Sequence, residues 1–191
     1  SLYYAEQYLS SSIKSKDTAW IADAYNYIGY VYDEKGDIQD ALQNFQKALE
    51  TFIVLKDSFF IAAVYNNLGY MTSYGMDQAK GLSYFLQSMQ IAEAISDTGL
   101  IADVSTNIGY YYDRVEDNTT AHRYYKKALE YSVIAADTVP LALAYVNMAG
   151  ISIKTRNFDA ASVYMEKAKE MLKYPHSNYQ TANLYTSMVE C

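Results

Sequence analysis

The chain has 191 residues, 51% of them hydrophobic and 19% charged, a composition typical of a folded protein with a real core. Only 2 prolines and 8 glycines argue against a loop-rich β protein, and 22 tyrosines are an unusual excess. A net charge of -7 argues against unaided binding to nucleic acid, because phosphate contacts need clustered lysine and arginine. No apolar run approaches the roughly 18 residues of a membrane span, so no membrane insertion is predicted.

The single cysteine, Cys191, excludes an internal disulfide and a cysteine-based zinc site. It leaves the compartment open: we favour the cytoplasm, and an unbridged periplasmic domain also fits. The sequence lacks a signal peptide and does not begin with methionine. We therefore expect it to be a piece of a longer protein.

The chain repeats itself every 40 residues, and a fixed period of this length predicts a solenoid. We expect residues 1–16 to be the second helix of a partial repeat and residues 177–191 to be a partial repeat or a capping helix. Between them, the predicted full repeats are 17–56, 57–96, 97–136 and 137–176.

Acidic or amide residues recur every 20 residues along the chain, at Asp17, Asp37, Asp57, Asp77, Asp97, Asp117, Asp137 and Asn157. Asp and Asn side chains accept hydrogen bonds from the free N–H groups of a first helical turn. We interpret them as N-caps of successive helices. The alternative is that they are ordinary surface residues.

Between these positions the apolar residues have helical spacing. Gly29, Gly69 and Gly109 share one position in the first helix of their repeats, where the fourth repeat has Ala149. A glycine inside a helix costs about 1 kcal/mol relative to alanine. We therefore expect two antiparallel helices to cross closely there, so that a side chain would collide with the partner backbone.

The chain has an aromatic residue followed three residues later by Leu-Gly, as in Tyr65, Leu68 and Gly69, and Ala…Phe…Ala on a second helix, as in Ala41, Phe45 and Ala48. This pattern resembles the tetratricopeptide repeat. The resemblance implies an all-α, right-handed α-α solenoid of antiparallel helix pairs, with about nine or ten helices. The repeat is longer than usual and lacks the closing proline. In both respects it is similar to long-helix variants in bacterial peptide sensors and regulatory proteins.

The face of each first helix opposite the core carries the candidate binding residues. In the family this is the concave groove that binds peptides, and the resemblance implies the same role here. The candidates are Asn26, Tyr30, Asn66, Asn67, Tyr70, Thr106, Asn107, Tyr110, Asp113, Val146 and Asn147.

Two series on this face recur at fixed repeat positions, namely Asn67, Asn107 and Asn147, and Tyr30, Tyr70 and Tyr110. An amide offers both a donor and an acceptor, and the resemblance implies that such asparagines hold a peptide main chain. The alternative is that they bond to a neighbouring helix. Tyrosine is enriched in binding surfaces, although most tyrosines here fall on core positions.

Aspartates on the same face, without the lysines of chaperone-type domains, predict a neutral, basic or amphipathic partner rather than an acidic one. We expect its aliphatic part near Leu143, Val146 and Ile153. A homodimer is left open.

The sequence contains no phosphate-binding glycine loop, no HExxH motif and no Gly-x-Ser-x-Gly elbow. His122 and His176 lie far apart and are interpreted as solvated. We therefore expect no enzymatic activity, cofactor or metal. The function predicted is a protein- or peptide-binding scaffold. The alternatives are an enzyme accessory, or a ligand-sensing input domain of a larger bacterial transcriptional regulator or signalling protein whose output domain lies outside this chain.

Overall fold

The computed structural model describes residues 1–73, 77–136 and 138–172, and within these ranges every regular element is an α-helix. The helices are α1 (Leu2–Ser15), α2 (Thr18–Lys35), α3 (Ile38–Leu55), α4 (Ser58–Ser73), α5 (Gln78–Ala94), α6 (Thr98–Arg114), α7 (Asn118–Ala135), α8 (Thr138–Lys154) and α9 (Phe158–Leu172). The predicted cap at Asp137 and the predicted element at 177–191 lie outside the described residues. None of these helices is both long and apolar enough to cross a membrane.

The chain divides into two compact units, Ser1–Ser96 and Asp97–Cys191, which we call unit 1 and unit 2. The division falls at the predicted boundary between the second and third repeats. Each unit is built from helices that pack against their neighbours in chain order. Because the connections between them are short, these neighbours are antiparallel.

Unit 1 contains α1 to α5, and its core lies mainly between α2, α3 and α4. Phe45, Phe52 and Leu49 of α3 pack there with Leu68 and Met71 of α4. The spacing of these residues places them on one face of each helix. A smaller cluster joins α1 to α2.

Unit 2 contains α6 to α9. Tyr125 of α7 packs with Met148 and Ile151 of α8. A second cluster brings Val146 of α8 against Ala168 of α9. In addition to its chain neighbours, α6 contacts α8 directly, so the first helices of successive repeats lie side by side within this unit.

A helix begins directly after each predicted N-cap in the described residues, and six of these seven caps are confirmed by their hydrogen bonds. The side-chain oxygens accept main-chain N–H groups at 2.8 to 3.2 Å; the acceptors are Asp17, Asp57, Asp77, Asp97, Asp117 and Asn157. Asp37 precedes α3 but makes no such bond. The interpretation as ordinary surface residues is therefore wrong for six positions.

Seven of the turns between helices, all within the described residues, also contain a residue in the left-handed backbone region, which the sequence did not predict. These residues directly precede the caps, with φ between 54° and 77°; they are Lys16, Gly36, Lys56, Ser96, Glu116, Ala136 and Arg156. The turn closes with two bonds, as where Lys56 N–H donates to the Ile53 oxygen at 3.1 Å and Asp57 N–H to the Phe52 oxygen at 3.2 Å. Because only one of these seven residues is a glycine, the sequence gives little indication of the left-handed conformation.

The close crossing at the helical glycines is confirmed, but the expected partner is wrong. A Cβ atom would lie 2.6 to 2.7 Å from an aromatic ring atom rather than from backbone, in the pairs Gly29 with Phe45, Gly69 with Phe85 and Gly109 with Tyr125. The ring of the second helix therefore fills the space that a side chain would occupy. In the fourth repeat the corresponding pair is Ala149 and Met165, and a flexible thioether adapts to the extra methyl group.

Candidate functional site

In unit 1 the exposed face of α2 and α4 contains a hydrogen-bond network between neighbouring repeats. The Asn67 Nδ2 atom donates to the Tyr30 hydroxyl at 2.8 Å and to the Asn26 Oδ1 atom at 3.4 Å. The Tyr30 oxygen also lies 3.1 Å from Asn67 Oδ1. For Asn67 the alternative interpretation is therefore confirmed, because its amide bonds to a neighbouring helix.

The ring of Tyr30 is also held in position by a residue of the core. It meets the ring of Phe45 edge to face, with centroids 5.4 Å apart, and Phe45 is the ring that packs over Gly29. A continuous series of contacts thus leads from the core to the surface, through Gly29, Phe45, Tyr30 and Asn67. The result is a tyrosine held at both its ring and its hydroxyl.

The three tyrosines of the predicted series are similarly exposed. The exposed fractions are 43% for Tyr30, 39% for Tyr70 and 41% for Tyr110. The asparagines beside them are half-buried, as are Asn26, Asn66, Thr106 and Asn147. The tyrosines therefore offer more surface to a ligand than the amides do.

Two aspartates on the unit 1 face differ in their surroundings. Asp23 Oδ2 accepts a hydrogen bond from the Tyr8 hydroxyl of α1 at 2.9 Å, and burial followed by this bond raises the pKa of Tyr8. Asp33 forms no ion pair in the described part of the chain. Partial burial, and then the charge of Glu34, raise the pKa of Asp33. A cation placed here would oppose both effects, because it favours the charged form of the carboxyl group.

In unit 2 the residue equivalent to Asp33 has a cation. Asp113 Oδ1 lies 2.7 Å from Nζ of Lys154, which belongs to the first helix of the next repeat. Burial, then the charge of Asp113 and the nearby Tyr110, raise the pKa of Tyr125. The Thr106 hydroxyl donates to the main-chain oxygen of Ala102 at 3.1 Å, so its donor is used within α6.

One predicted site residue has to be corrected. Val146 is only 5% exposed and packs in the core with Ala142 and Ala168. Its repeat position is half-buried in the other repeats, where it holds Asn26, Asn66 or Thr106. A polar side chain at this border reaches towards water, whereas valine turns fully into the core. Val146 is therefore unavailable to a ligand.

Leu143 and Ile153, predicted to lie near the partner's aliphatic part, are half-buried.

The fourth repeat also ends the tyrosine series. Gly150 stands at the position of Tyr110, and among the described residues no atom beyond its own stretch of helix lies within 4 Å of where its Cβ would be. Two contacts between helices use acids of this face and were not predicted from the sequence, namely Asp23 with Tyr8 and Asp113 with Lys154. The contact of Asp113 with Lys154 could have been found in the sequence, because the two residues are separated by one repeat plus one residue, as are Asn26 and Asn67.

The chemistry of these faces follows from the side chains that they expose. In the described ranges no group of three histidine, cysteine or acidic side chains could hold a metal ion. The side chains present are amides, hydroxyls, aromatic rings and a few carboxylates. They offer hydrogen bonds, flat contact area and negative charge to a ligand.

Two segments match the tetratricopeptide repeat family, residues 22–51 and residues 142–171. The first lies on α2 and α3, and the second lies on α8 and α9. Each of these two segments is a tetratricopeptide repeat. No curated protein matches the sequence.

Solved structures show the same tetratricopeptide-repeat fold. The apo form of RapI matches with a TM-score of 0.74 at 16% identity, over 90% of this chain and 70% of that chain. BtubC from P. vanneervenii matches with a TM-score of 0.71 at 18% identity, over 85% of this chain and 68% of that chain.

A third match is a Signal Transduction ATPase with Numerous Domains protein with a tetratricopeptide repeat sensor, from Pyrococcus horikoshii. Its TM-score is 0.70 at 18% identity, over 90% of this chain and 26% of that chain. At identities this low, the structural matches establish the fold class alone, which is an all-α solenoid of tetratricopeptide type.

Proposed function

We propose that this chain is a protein- or peptide-binding scaffold that acts through the exposed faces of its first helices. We call Asn26, Tyr30, Asn66, Asn67 and Tyr70 the ladder face of unit 1. The ladder face of unit 2 comprises Thr106, Asn107, Tyr110, Asp113 and Asn147. The observation that carries the proposal is the set of similarly exposed tyrosines at one repeat position.

The tyrosines, rather than the asparagines, are proposed to make the main contacts in unit 1. Both N–H donors of Asn67 have partners within the protein, namely Tyr30 and Asn26. Asn67 therefore positions the ring of Tyr30. A ring that is already fixed loses little entropy when a ligand binds, so it suits an anchoring role.

Charge supports a basic partner for unit 1. The helix α4 has no charged side chain, and α2 places Asp23 and Asp33 beside the ladder face. Asp113, the equivalent of Asp33, already pairs with Lys154. We propose that a lysine or arginine of the partner takes the corresponding place beside Asp33.

Equal-length basic, neutral and acidic peptide pools, titrated by fluorescence anisotropy, test this function. The basic pool should bind most tightly, and the acidic pool least. Tyr30→Ser and Tyr70→Ser should each weaken binding about tenfold or more, because removing an anchoring aromatic residue typically has this effect. Tyr3→Ser, which removes an exposed tyrosine of α1, is the control and should change nothing. Equal binding by all four proteins would contradict the proposal.

The second candidate is a ligand-sensing input domain, favoured by the similarity to the tetratricopeptide repeat sensor of the Pyrococcus horikoshii protein. Small-angle X-ray scattering with and without a bound peptide separates the two functions. An unchanged radius of gyration supports a scaffold. A change on binding supports a sensor, because a sensor must pass a difference in shape to another domain.

A further inference from the structure

Unit 1 contains a cleft between α4 and α5. Its volume is about 410 Å³, which is within the range of small ligand sites. The lining residues are Ser58 and Tyr65 of α4, and Gln87, Gln90, Ile91, Ala94 and Ile95 of α5. We call this the amide cleft. None of these side chains is charged, and the rings and chains of Tyr65 and Ile91 are half-buried.

Two other repeats place a lysine over the tyrosine that corresponds to Tyr65. In the first repeat, Nζ of Lys47 lies 5.2 Å from the centroid of the Tyr25 ring. In the fourth repeat, Nζ of Lys167 lies 5.4 Å from the centroid of the Tyr145 ring. Because both lysines and both tyrosines occupy the same repeat positions, this cation–π contact is a recurring feature of the chain.

The second repeat has the ring without the lysine. Gln87 stands at the lysine position, and in the described part of the chain no lysine or arginine lies over Tyr65. The third repeat shows the opposite change, since Ser105 replaces the tyrosine and Lys127 lies over the ring of Tyr131 instead, at 5.9 Å. Each lysine at this repeat position therefore lies over a ring, whereas the ring of Tyr65 lacks the cation that its equivalents have.

The ring of Tyr65 is held in the same way as that of Tyr145. Tyr65 stacks on Tyr84 with centroids 6.0 Å apart and 27° between the ring planes. Tyr145 stacks on Tyr164 with centroids 6.3 Å apart and 29° between the planes. In the fourth repeat this arrangement leaves room for the ammonium group of Lys167. The matching geometry gives Tyr65 the same capacity for a cation.

The polar side chains of the amide cleft can complete the contacts of an ammonium group. The Gln87 Nε2 atom donates to the main-chain oxygen of Ser83 at 3.3 Å, which leaves its Oε1 atom as an acceptor. The side chains of Gln90 and Ser58 form no hydrogen bond within the described ranges. An ammonium group has three donors, and the amide and hydroxyl oxygens of this cleft are able to accept them.

The charges around the amide cleft also favour a cation. The cleft follows the second half of α5, and the last turn of a helix attracts positive charge. Lys80, the only lysine of α5, lies at the other end of this helix, over the ring of Tyr84 at 5.8 Å. The charged residues of unit 1 within two positions of the lining residues are one base and two acids, namely Lys56, Asp57 and Glu93.

We propose that the amide cleft binds the side chain of a lysine from a partner protein. Its ammonium group lies over the ring of Tyr65, and its aliphatic chain packs against Ile91. Lysine is the occupant because two other repeats supply this side chain, from their own sequence, to the equivalent ring. The cleft shares no residue with the ladder face of unit 1, so this proposal does not rest on the proposed function.

Methyl NMR of the full chain, titrated with Nα-acetyl-lysine methylamide, tests the proposal. The methyl signals of Ile91 and Ile95, which line the amide cleft, should shift and saturate. The Nε-acetylated form of the probe, which has no charge, should bind about fivefold more weakly or worse. Tyr65→Leu should weaken binding of the lysine probe by a similar factor.

The decisive variant is Gln87→Lys, because it restores the lysine that the other repeats have. This side chain should occupy the cleft from within the chain and weaken binding of the probe about tenfold or more. Gln43→Lys adds the same charge at an exposed position of α3, outside the cleft, and should leave the affinity unchanged. Because Gln87 lies outside the core, this comparison remains valid even if Tyr65→Leu unfolds the protein.

Four results would overturn the proposal. The lysine probe leaves the signals of Ile91 and Ile95 unshifted, or its Nε-acetylated form binds equally well. Gln87→Lys binds the probe as tightly as Gln43→Lys does. Tetramethylammonium binds more tightly than the lysine probe, which would assign the amide cleft to a small quaternary ammonium ligand rather than to a partner's lysine.

Discussion

At the scale of single residues, two buried serines show how much depends on whether a hydroxyl has a partner. The Ser88 hydroxyl of α5 donates to the Ala62 oxygen of α4 at 2.7 Å. Ser105 of α6 is equally buried, and its hydroxyl makes no hydrogen bond in the described part of the chain. An unpaired buried polar group is destabilising, whereas a paired one is mildly stabilising.

Replacing each serine by alanine should therefore have opposite effects. Ser105→Ala should raise the free energy of unfolding by about 1 kcal/mol, and Ser88→Ala should lower it by about 1 kcal/mol. Urea titrations followed by circular dichroism measure both. If Ser105→Ala proves the less stable of the two, the hydroxyl of Ser105 has a partner.

Two glycines of unit 2 make a second matched pair. A Cβ atom at Gly150 would meet no neighbouring element within 4 Å in the described part of the chain, whereas a Cβ atom at Gly109 would lie 2.6 Å from the buried ring of Tyr125. Gly150→Ala should stabilise the protein by about 1 kcal/mol, through helix propensity alone. Gly109→Ala should destabilise it by about 1–3 kcal/mol, because the ring must move. Differential scanning calorimetry gives both values, and two shifts of the same sign would contradict the packing described.

At the scale of helices and turns, the left-handed residues before the caps are the main source of backbone strain. Lys56 has φ of 57° and Gly36 has φ of 77°. Lys56→Gly should stabilise the protein by about 0.5–1 kcal/mol, whereas Gly36→Ala should destabilise it by about 1 kcal/mol. Thermal melting distinguishes them. Destabilisation by Lys56→Gly would mean that the side chain matters more than the backbone conformation.

Helix ends also predict how stability depends on pH. Hydrogen bonds from the Thr120 N–H and side chain lower the pKa of Asp117, which caps α7. Such a carboxylate stabilises the folded state above its unfolded pKa, near 3.9, and this contribution is lost as pH falls through the lowered folded pKa. Asp33, in the last turn of α2, has its pKa raised by burial and by Glu34. Its ionisation disfavours folding at neutral pH, and that penalty disappears as pH falls below about 3.9.

Melting temperatures at pH 7 and pH 3 measure the two effects. Asp117→Asn should be less stable than wild type at pH 7, and the difference should shrink at pH 3. Asp33→Asn should be more stable than wild type at pH 7, and its advantage should also shrink. An Asp33→Asn variant that melts below wild type at pH 7 would show that Asp33 has a favourable partner.

At the scale of the whole chain, the repeat pattern was enough to predict the helices, because caps at a 20-residue spacing determine closely where each helix begins and ends. The left-handed turns escaped prediction, since six of the seven residues there are not glycine. The role of Asn67 was open because an amide bonds equally well to a ligand or to a neighbouring helix. Val146 was misplaced because its repeat position lies at the border of the core, where residue type decides the direction.

Comparing the four repeats with one another could have found the glycine–aromatic contact. Ala149 replaces glycine in the repeat in which Met165 replaces the ring. A single sequence with internal repeats thus carries a record of residues that change together because they are in contact. The binding partner leaves no such record, because its own residues are not part of this sequence.

The central claim is that Tyr30 contacts the ligand and that Asn67 acts by positioning it. A double-mutant cycle on the affinity for a basic peptide tests this directly. Tyr30→Phe and Asn67→Ala should each weaken binding, and the double variant should bind about as tightly as the weaker single variant, because both remove the same 2.8 Å bond. Fully additive losses, or no loss in either single variant, would contradict the account.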